Sequence, residues 1–80
     1  MTGYELSEHA SEVLKERNIK EEWVKLTMEN PDNTEAKEDG SIHYIKAVKE
    51  YDGRYLRVVF NPDTKKVITL FFDRRLGRQK

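Results

Sequence analysis

The chain of 80 residues contains no cysteine, which excludes disulfide bonds and thiolate metal sites. It has no apolar run approaching the roughly 18 residues that a membrane helix needs. Its first ten residues, MTGYELSEHA, carry acidic side chains where a signal peptide would carry basic ones. These absences favour a soluble, cytoplasmic protein without a membrane partner, folded as a single domain over residues 1–80.

Catalytic signatures are also scarce. The 4 glycines are scattered, so no glycine-rich phosphate loop is present, and no serine lies in a nucleophile-elbow motif. The two histidines, His9 and His43, do not have the spacing of metal ligands relative to one another or to the carboxylates. We therefore expect neither a metal nor another cofactor.

The net charge of zero hides a difference between the two halves of the chain. Residues 1–40 carry 5 Lys/Arg and 11 Asp/Glu, whereas residues 41–80 carry 10 Lys/Arg and 4 Asp/Glu. A basic face built by the second half would suit phosphate or an acidic partner. The alternative is that the two halves simply attract each other.

Residues 1–31 have the pattern of two helices. Ser7 is a suitable N-cap and Asn18 a suitable left-handed C-cap, which predicts a first helix over Glu8–Arg17. The segment KEEWVKLTMENP has apolar residues at helical spacing and ends at Asn30-Pro31. Its Trp23 is expected in the core. Residues 4–6 could form a very short strand, and residues 32–40 a loop with a weak edge strand.

From residue 41 the pattern changes to strands. SIHYIKAVKEY and RYLRVVF flank Asp52-Gly53, a strong signal for a two-residue hairpin, and KVITLFF follows the turn NPDTK. The sequence therefore predicts an α+β fold, in which two N-terminal helices pack on one face of a twisted antiparallel sheet of three to four strands. The β-meander covers residues 41–73, and a basic tail covers residues 74–80.

The hairpin assigns the two faces of the sheet, because a two-residue turn would set Tyr51 opposite Arg54. The face packed on the helices is then predicted to carry Ile45, Ala47, Leu56, Val58, Phe60, Ile68, Leu70 and Phe72. The other face, free of helices, is predicted to carry Tyr44, Lys46, Val48, Tyr55, Arg57, Val59, Val67, Thr69 and Phe71. Such a mixture of aromatic and basic groups is typical of surfaces that bind single-stranded RNA, where rings stack on bases and cations contact phosphates.

The sequence also resembles a widespread bacterial family of unknown function whose members are similar to RelE/ParE-type toxins. The resemblance extends from Leu6 to about Arg75. Its most specific parts are His9-Ala10, the helix end Glu16-Arg17-x-Ile19, the exit Asn30-Pro31, the strand RYLRVV and the ending FFDRR. It implies two helices on one side of a twisted sheet whose opposite, concave face binds RNA. It also implies cleavage of messenger RNA without a metal, since several related toxins do this.

The resemblance matches this chain in part. It equates His9 with the helix histidine of the family, Arg17 with its helix-end arginine, Arg57 with the arginine of the second meander strand, and Phe72, Asp73 and Arg74 with the terminal motif. Two positions depart from it. Val13 stands where members commonly have arginine, which removes a cation near His9, and Asn18 stands where they commonly have glycine.

These observations lead to a set of candidate residues. Arg57 would hold phosphate, with His9 and Tyr44 as acid and base; the RNA-binding candidates are Lys46, Tyr55, Phe71, Arg74 and Arg75. Two functions remain open. The first is a toxin-like ribonuclease or RNA-binding domain, monomeric and covered by a cognate antitoxin. The second is a non-catalytic protein-interaction module on the same scaffold.

Each candidate also has a purely structural interpretation. Arg57 could form a salt bridge with Glu50 or with a carboxylate of a neighbouring strand. His9 could be half-buried and bonded to a loop carbonyl. His43, placed on the predicted core side at a strand end, would have a structural or exposed role.

Overall fold

The computed structural model describes residues 4–73, in which two helices pack against a five-stranded sheet. The helices are α1 (Glu8–Arg17) and α2 (Glu21–Glu29), and the strands are β1 (Glu5–Leu6), β2 (Asn33–Ala36), β3 (Ile42–Val48), β4 (Arg54–Asn61) and β5 (Lys66–Asp73). The strand order is β1-β5-β4-β3-β2. The predicted α+β fold is confirmed. The sheet is larger than three to four strands because both weakly predicted edge strands form, and it is mixed because β1 runs parallel to β5.

Neither helix in the described part of the chain is long and apolar enough to cross a membrane.

The ends of α1 form as the sequence predicts. The Ser7 hydroxyl accepts a hydrogen bond from the Ala10 amide at 3.0 Å and donates one to the Ile68 carbonyl at 3.0 Å, which ties the start of the helix to β5. Asn18 ends the helix at φ 54°, in the left-handed region that asparagine tolerates better than most residues. The Ser7 contact therefore attaches the N-terminal end of α1 to β5, whereas Asn18 determines where the helix ends.

The core lies between the helices and one face of the sheet. Trp23 is 6% exposed, as predicted, and its indole Nε1 donates to Glu50 Oε1 at 2.8 Å. Thr27 is fully buried, and its hydroxyl donates to the Trp23 carbonyl. The remaining members of the core cluster are Ala10, Ile19, Val24, Val48, Leu56, Val58, Phe60, Val67 and Leu70.

The connection between β3 and β4 is longer than predicted. A 3-10 turn over Lys49–Tyr51 precedes Asp52 and Gly53, which have φ of 63° and 70°. The Gly53 amide donates to the Val48 carbonyl at 3.0 Å, and Val48 pairs with Arg54. The prediction of a two-residue turn is therefore wrong, because the Asp-Gly pair ends a five-residue loop. The register moves by three residues, an odd number that turns β3 over.

This reversal exchanges the faces assigned to β3. Tyr44 pairs with Val58 and Lys46 pairs with Leu56, so both lie on the helix side. The Tyr44 ring packs edge-on against the Phe60 ring, with 5.8 Å between the ring centroids. The opposite side of the sheet, called the open face below, carries Asn33, Glu35, His43, Ile45, Ala47, Tyr55, Arg57, Val59, Thr69, Phe71 and Asp73. The predicted faces of Ile45, Ala47, Tyr44, Lys46 and Val48 are thus wrong, whereas those of Tyr55, Arg57, Val59, Thr69 and Phe71 are confirmed.

An irregularity in the pairing of β4 with β5 shows that the predicted faces of Val67 and Ile68 are wrong. Val59 pairs with Thr69 but Phe60 pairs with Val67, so Ile68 is an extra residue in β5. Val67 is consequently fully buried and Ile68 is 40% exposed, the reverse of their predicted faces. A β-bulge has this effect because one additional residue changes the alternation of side chains along the strand. Leu70 and Phe72, beyond the bulge, lie on the helix side as predicted.

Candidate functional site

Arg57 lies at the middle of the open face, with its side chain only 12% exposed. Its Nε donates to Asp73 Oδ2 at 3.1 Å, and its Nη1 donates to Glu35 Oε1 at 3.2 Å. Nη1 also lies 2.9 Å from His43 Nδ1. These four residues, called the Arg57 cluster, come from four adjacent strands and form a line across the sheet.

The strand register explains why they meet. Arg57 pairs directly with Ile45 on β3 and Phe71 on β5. His43 and Asp73 are each displaced by two residues from those pairs, which makes them diagonal neighbours of Arg57 on the same face. Diagonal neighbours are within reach of a side chain as long as arginine. Glu35 pairs directly with His43 and reaches Arg57 from beyond it.

The cluster determines the protonation of His43. Because a guanidinium can only donate, His43 Nδ1 must accept, which leaves the proton of the neutral ring on Nε2. Burial lowers the pKa of His43 below its usual range, and the positive charge of Arg57 lowers it further. The imidazole is therefore neutral at pH 7.

Of the two carboxylates bonded to Arg57, Glu35 is also bonded to a second cation. Hydrogen bonds from Lys37 and then from Arg57 lower the pKa of Glu35. The Lys37 ammonium lies 2.9 Å from the same Glu35 oxygen that Arg57 contacts. The guanidinium charge is thus offset from two sides, by Glu35 at the edge and by Asp73 near the opposite end of the line.

Two nitrogen atoms of the cluster are still accessible to solvent. Within residues 4–73, Arg57 Nη2 and His43 Nε2 have no hydrogen-bond partner. No buried side-chain nitrogen or oxygen in this range lacks a partner, so both atoms must be accessible to water. Two outward donors of this kind can bind an anion that approaches the open face.

Aromatic and apolar side chains surround the donors. Phe71, directly opposite Arg57, is 37% exposed, and Tyr55 on β4 is half-buried. Ile45, the other direct partner of Arg57, is only 2% exposed and is an apolar residue beneath the polar groups of the cluster. An exposed ring beside a guanidinium provides a surface on which a planar base could stack.

The predicted site residues divide into three groups. Tyr55 and Phe71 share the open face with Arg57, whereas Tyr44 and Lys46 lie on the helix side, where Lys46 Nζ is 3.5 Å from Asp32. A third group, Arg74 and Arg75, lies outside the described residues, and His9 is treated separately below.

The structure does not bring His9 to this site. His9 is on α1, next to Ala10, which is buried against the helix side of the sheet. The sheet therefore lies between His9 and the Arg57 cluster. Its side chain is exposed, so the half-buried position expected in the structural interpretation is wrong.

The sequence reasoning missed His43, Glu35 and Asp73 as parts of one site. The structural interpretation of Arg57, a salt bridge to a carboxylate of a neighbouring strand, is confirmed by its bond to Asp73. His43 was placed on the wrong face by the two-residue turn. For Glu35, the only sequence signal was its alternation with Asn33 in the weakly predicted edge strand.

The described open face is not basic. Arg57 and nearby Lys37 are matched by Glu35 and Asp73. Residues 41–73 carry 6 Lys/Arg and 4 Asp/Glu, so most of the positive excess of the second half comes from the four cations of residues 74–80. Within residues 4–73, no three His, Asp or Glu residues are arranged to hold a metal ion.

Comparison with curated proteins finds no match. Comparison with solved structures also finds none. A family model matches residues 6–72, a range that includes three of the four members of the Arg57 cluster and leaves out Asp73. Because this match covers most of the chain, the protein belongs to the family described as Domain of unknown function (DUF4258).

Proposed function

We propose that this domain binds single-stranded RNA on its open face, with Arg57 contacting a phosphate and Phe71 or Tyr55 stacking on a base. The observation that carries the proposal is the pair of outward donors, Arg57 Nη2 and His43 Nε2, beside an exposed aromatic ring. The resemblance to RelE/ParE-type toxins supports the same face, and it too remains a prediction.

The lowered pKa values of Glu35 and His43 favour binding over cleavage. Cleavage through the 2′-hydroxyl requires a base to remove its proton and an acid to protonate the leaving oxygen. Glu35 is a weak base because its pKa is lowered, and His43 is not a proton donor at pH 7 because its pKa is lowered as well. Arg57 can stabilise a phosphate without either reaction.

A second function, binding of a protein partner such as an antitoxin, is favoured by the charge balance of the open face. Phe71 is exposed there, while the charge of Arg57 is offset by two carboxylates. Salt distinguishes the two functions. RNA binding should weaken steeply as salt rises, because counterions are released, whereas an interface dominated by apolar contacts should respond little.

The proposal is tested by replacing Arg57 with alanine and measuring the affinity for a single-stranded RNA by fluorescence anisotropy. Loss of a charged hydrogen bond to phosphate should weaken binding about 10-fold. The matched control is Arg54→Ala, which removes the same charge from the same strand but on the helix side, where Arg54 pairs with Val48. Equal loss in both variants would indicate general charge attraction, and no loss in R57A would contradict the proposal.

A further inference from the structure

The two carboxylates hold Arg57 in unequal ways. Asp73 has a side chain only 11% exposed and bonds to Nε, the nitrogen within the side chain. Glu35 has a side chain 39% exposed and bonds to Nη1, at the tip. The first contact fixes the direction of the guanidinium, whereas the second covers part of its outer edge.

Glu35 is also the more easily displaced partner. It belongs to β2, an edge strand of four residues, and it shares one carboxylate oxygen between Arg57 and Lys37. Because the Glu35 side chain is partly exposed, water or a ligand anion can replace its bond to Arg57, so moving it away costs less free energy than moving Asp73. Asp73 lies in an eight-residue strand that pairs along its length with β4.

The position of Glu35 is where a ligand anion would be expected. A guanidinium binds phosphate best through two parallel N–H groups. The Nη1 and Nη2 atoms at the tip form such a pair, but a carboxylate oxygen already contacts Nη1 while Nη2 faces solvent. Nη1 has two N–H groups, and His43 Nδ1 lies 2.9 Å from the same atom, so a phosphate could bond to both Nη1 and Nη2 only after the carboxylate moves.

We infer that the Glu35 carboxylate occupies the seat of an RNA phosphate and is displaced when RNA binds, while Asp73 remains as the positioning residue for Arg57. The inference rests on the proposed function and assigns its ligand group as a phosphodiester. Displacement also releases Lys37 from Glu35, which adds a second cation beside the seat.

The consequence is that removing the charge of Glu35 should strengthen RNA binding. In Glu35→Gln the side chain keeps its shape but competes less with phosphate, so we expect affinity to rise roughly 2- to 5-fold above that of a matched control. The control is Glu38→Gln. Glu38 is exposed in the segment between β2 and β3, carries the same charge and is not part of the Arg57 cluster.

The experiment measures the affinity of the full chain for one single-stranded RNA by anisotropy, in wild type, E35Q, E38Q and R57A, with thermal unfolding as a check on folding. A larger gain in E35Q than in E38Q supports the inference. Equal gains, or a loss in E35Q, would contradict the inference that Glu35 occupies the phosphate position but would leave the proposed function intact. Unchanged affinity in R57A overturns the proposed function itself.

A separate readout tests Asp73. The Arg57 Nε–H signal in an NMR spectrum should be retained when RNA is added to the wild type, because the bond to Asp73 persists. Asp73→Asn should shift this signal and weaken RNA binding, while the backbone amide spectrum should still be that of a folded protein. Loss of the wild-type signal on RNA addition would show that Asp73 is displaced too, and would contradict its positioning role.

Discussion

At the scale of single residues, the open face is organised by the desolvation of Arg57. The Arg57 side chain is 12% exposed in the middle of a sheet and has lost much of its hydration, which is unfavourable unless hydrogen bonds replace it. Asp73, Glu35 and His43 provide these bonds. The same contacts leave Arg57 Nη2 and His43 Nε2 accessible to water, so a structural and a binding role are compatible in this cluster.

His43 should make stability depend on pH near neutrality. Its pKa is lower in the folded than in the unfolded state, first because of burial and then because of Arg57, so the unfolded state binds the proton more tightly. The stability gained from neutral His43 is complete above its ordinary pKa of about 6.5 and is lost as pH falls through the lowered value. Urea unfolding at pH 7.5, 6.5 and 5.5 should show this decrease.

The control for this prediction is His43→Gln, which cannot take up the proton. The carboxylates with lowered pKa, such as Asp32 and Glu35, lose their stabilising charge only at lower pH, since their pKa lies below the ordinary range of about 4. Wild type and H43Q should therefore differ in the slope between pH 7.5 and 5.5. Parallel curves would show that His43 is not the group responsible.

At the scale of elements, loop length and one bulge decide which side chains face the helices. The five-residue connection after Val48 reverses β3, and the extra residue Ile68 changes the alternation at the start of β5. In both places the local apolar pattern was recognised correctly as a strand. The pattern could not determine the register of the strand pairs, and a register change of one residue exchanges the two faces of a strand.

The bulge predicts opposite effects for two adjacent residues. Val67→Ala removes methyl groups from a fully buried site and should lower the free energy of unfolding by roughly 1–3 kcal/mol. Ile68→Ala removes more apolar surface, yet Ile68 is 40% exposed, so its cost should stay below about 1 kcal/mol. Urea denaturation of both variants provides the measurement, and a greater loss in I68A would contradict the observed register.

At the scale of the whole molecule, charge is distributed differently from the simple division into an acidic and a basic half. The open face is nearly balanced, and residues 74–80 supply four of the ten cations in the second half. Under the proposed function, electrostatic attraction of RNA would therefore depend on the sequence beyond β5 as well as on Arg57. Such long-range attraction is the part of binding most sensitive to salt.

The predicted RNA-binding residues Arg74 and Arg75 can be tested at this scale. The double variant R74A/R75A should weaken RNA binding and reduce the slope of log affinity against log salt by up to about 1.4, the value for two contacts to a single strand. The control is K15A/K25A, which removes two exposed cations from the helices. An equal effect in the control would mean that only net charge matters.

Much of the fold could be predicted from the sequence, and little of the site. The caps Ser7 and Asn18 predicted the bounds of α1. The alternation in RYLRVVF predicted that Arg57 and Tyr55 lie on one face of β4 and that Leu56 and Val58 lie on the other. These features are local, so the residues concerned are close in the sequence. The partners of Arg57 come from β2, β3 and β5, and their meeting depends on the registers of three strand pairs at once.

The sequence by itself determined the order of helices and strands, the burial of Trp23 and the position of Arg57 on the face away from the helices. The tertiary structure alone decided that His43, Glu35 and Asp73 surround Arg57 and that His9 and Tyr44 do not. The physical reason is that strand pairing alternates side chains with a period of two, so the number of residues in one loop determines the face of every residue in β3.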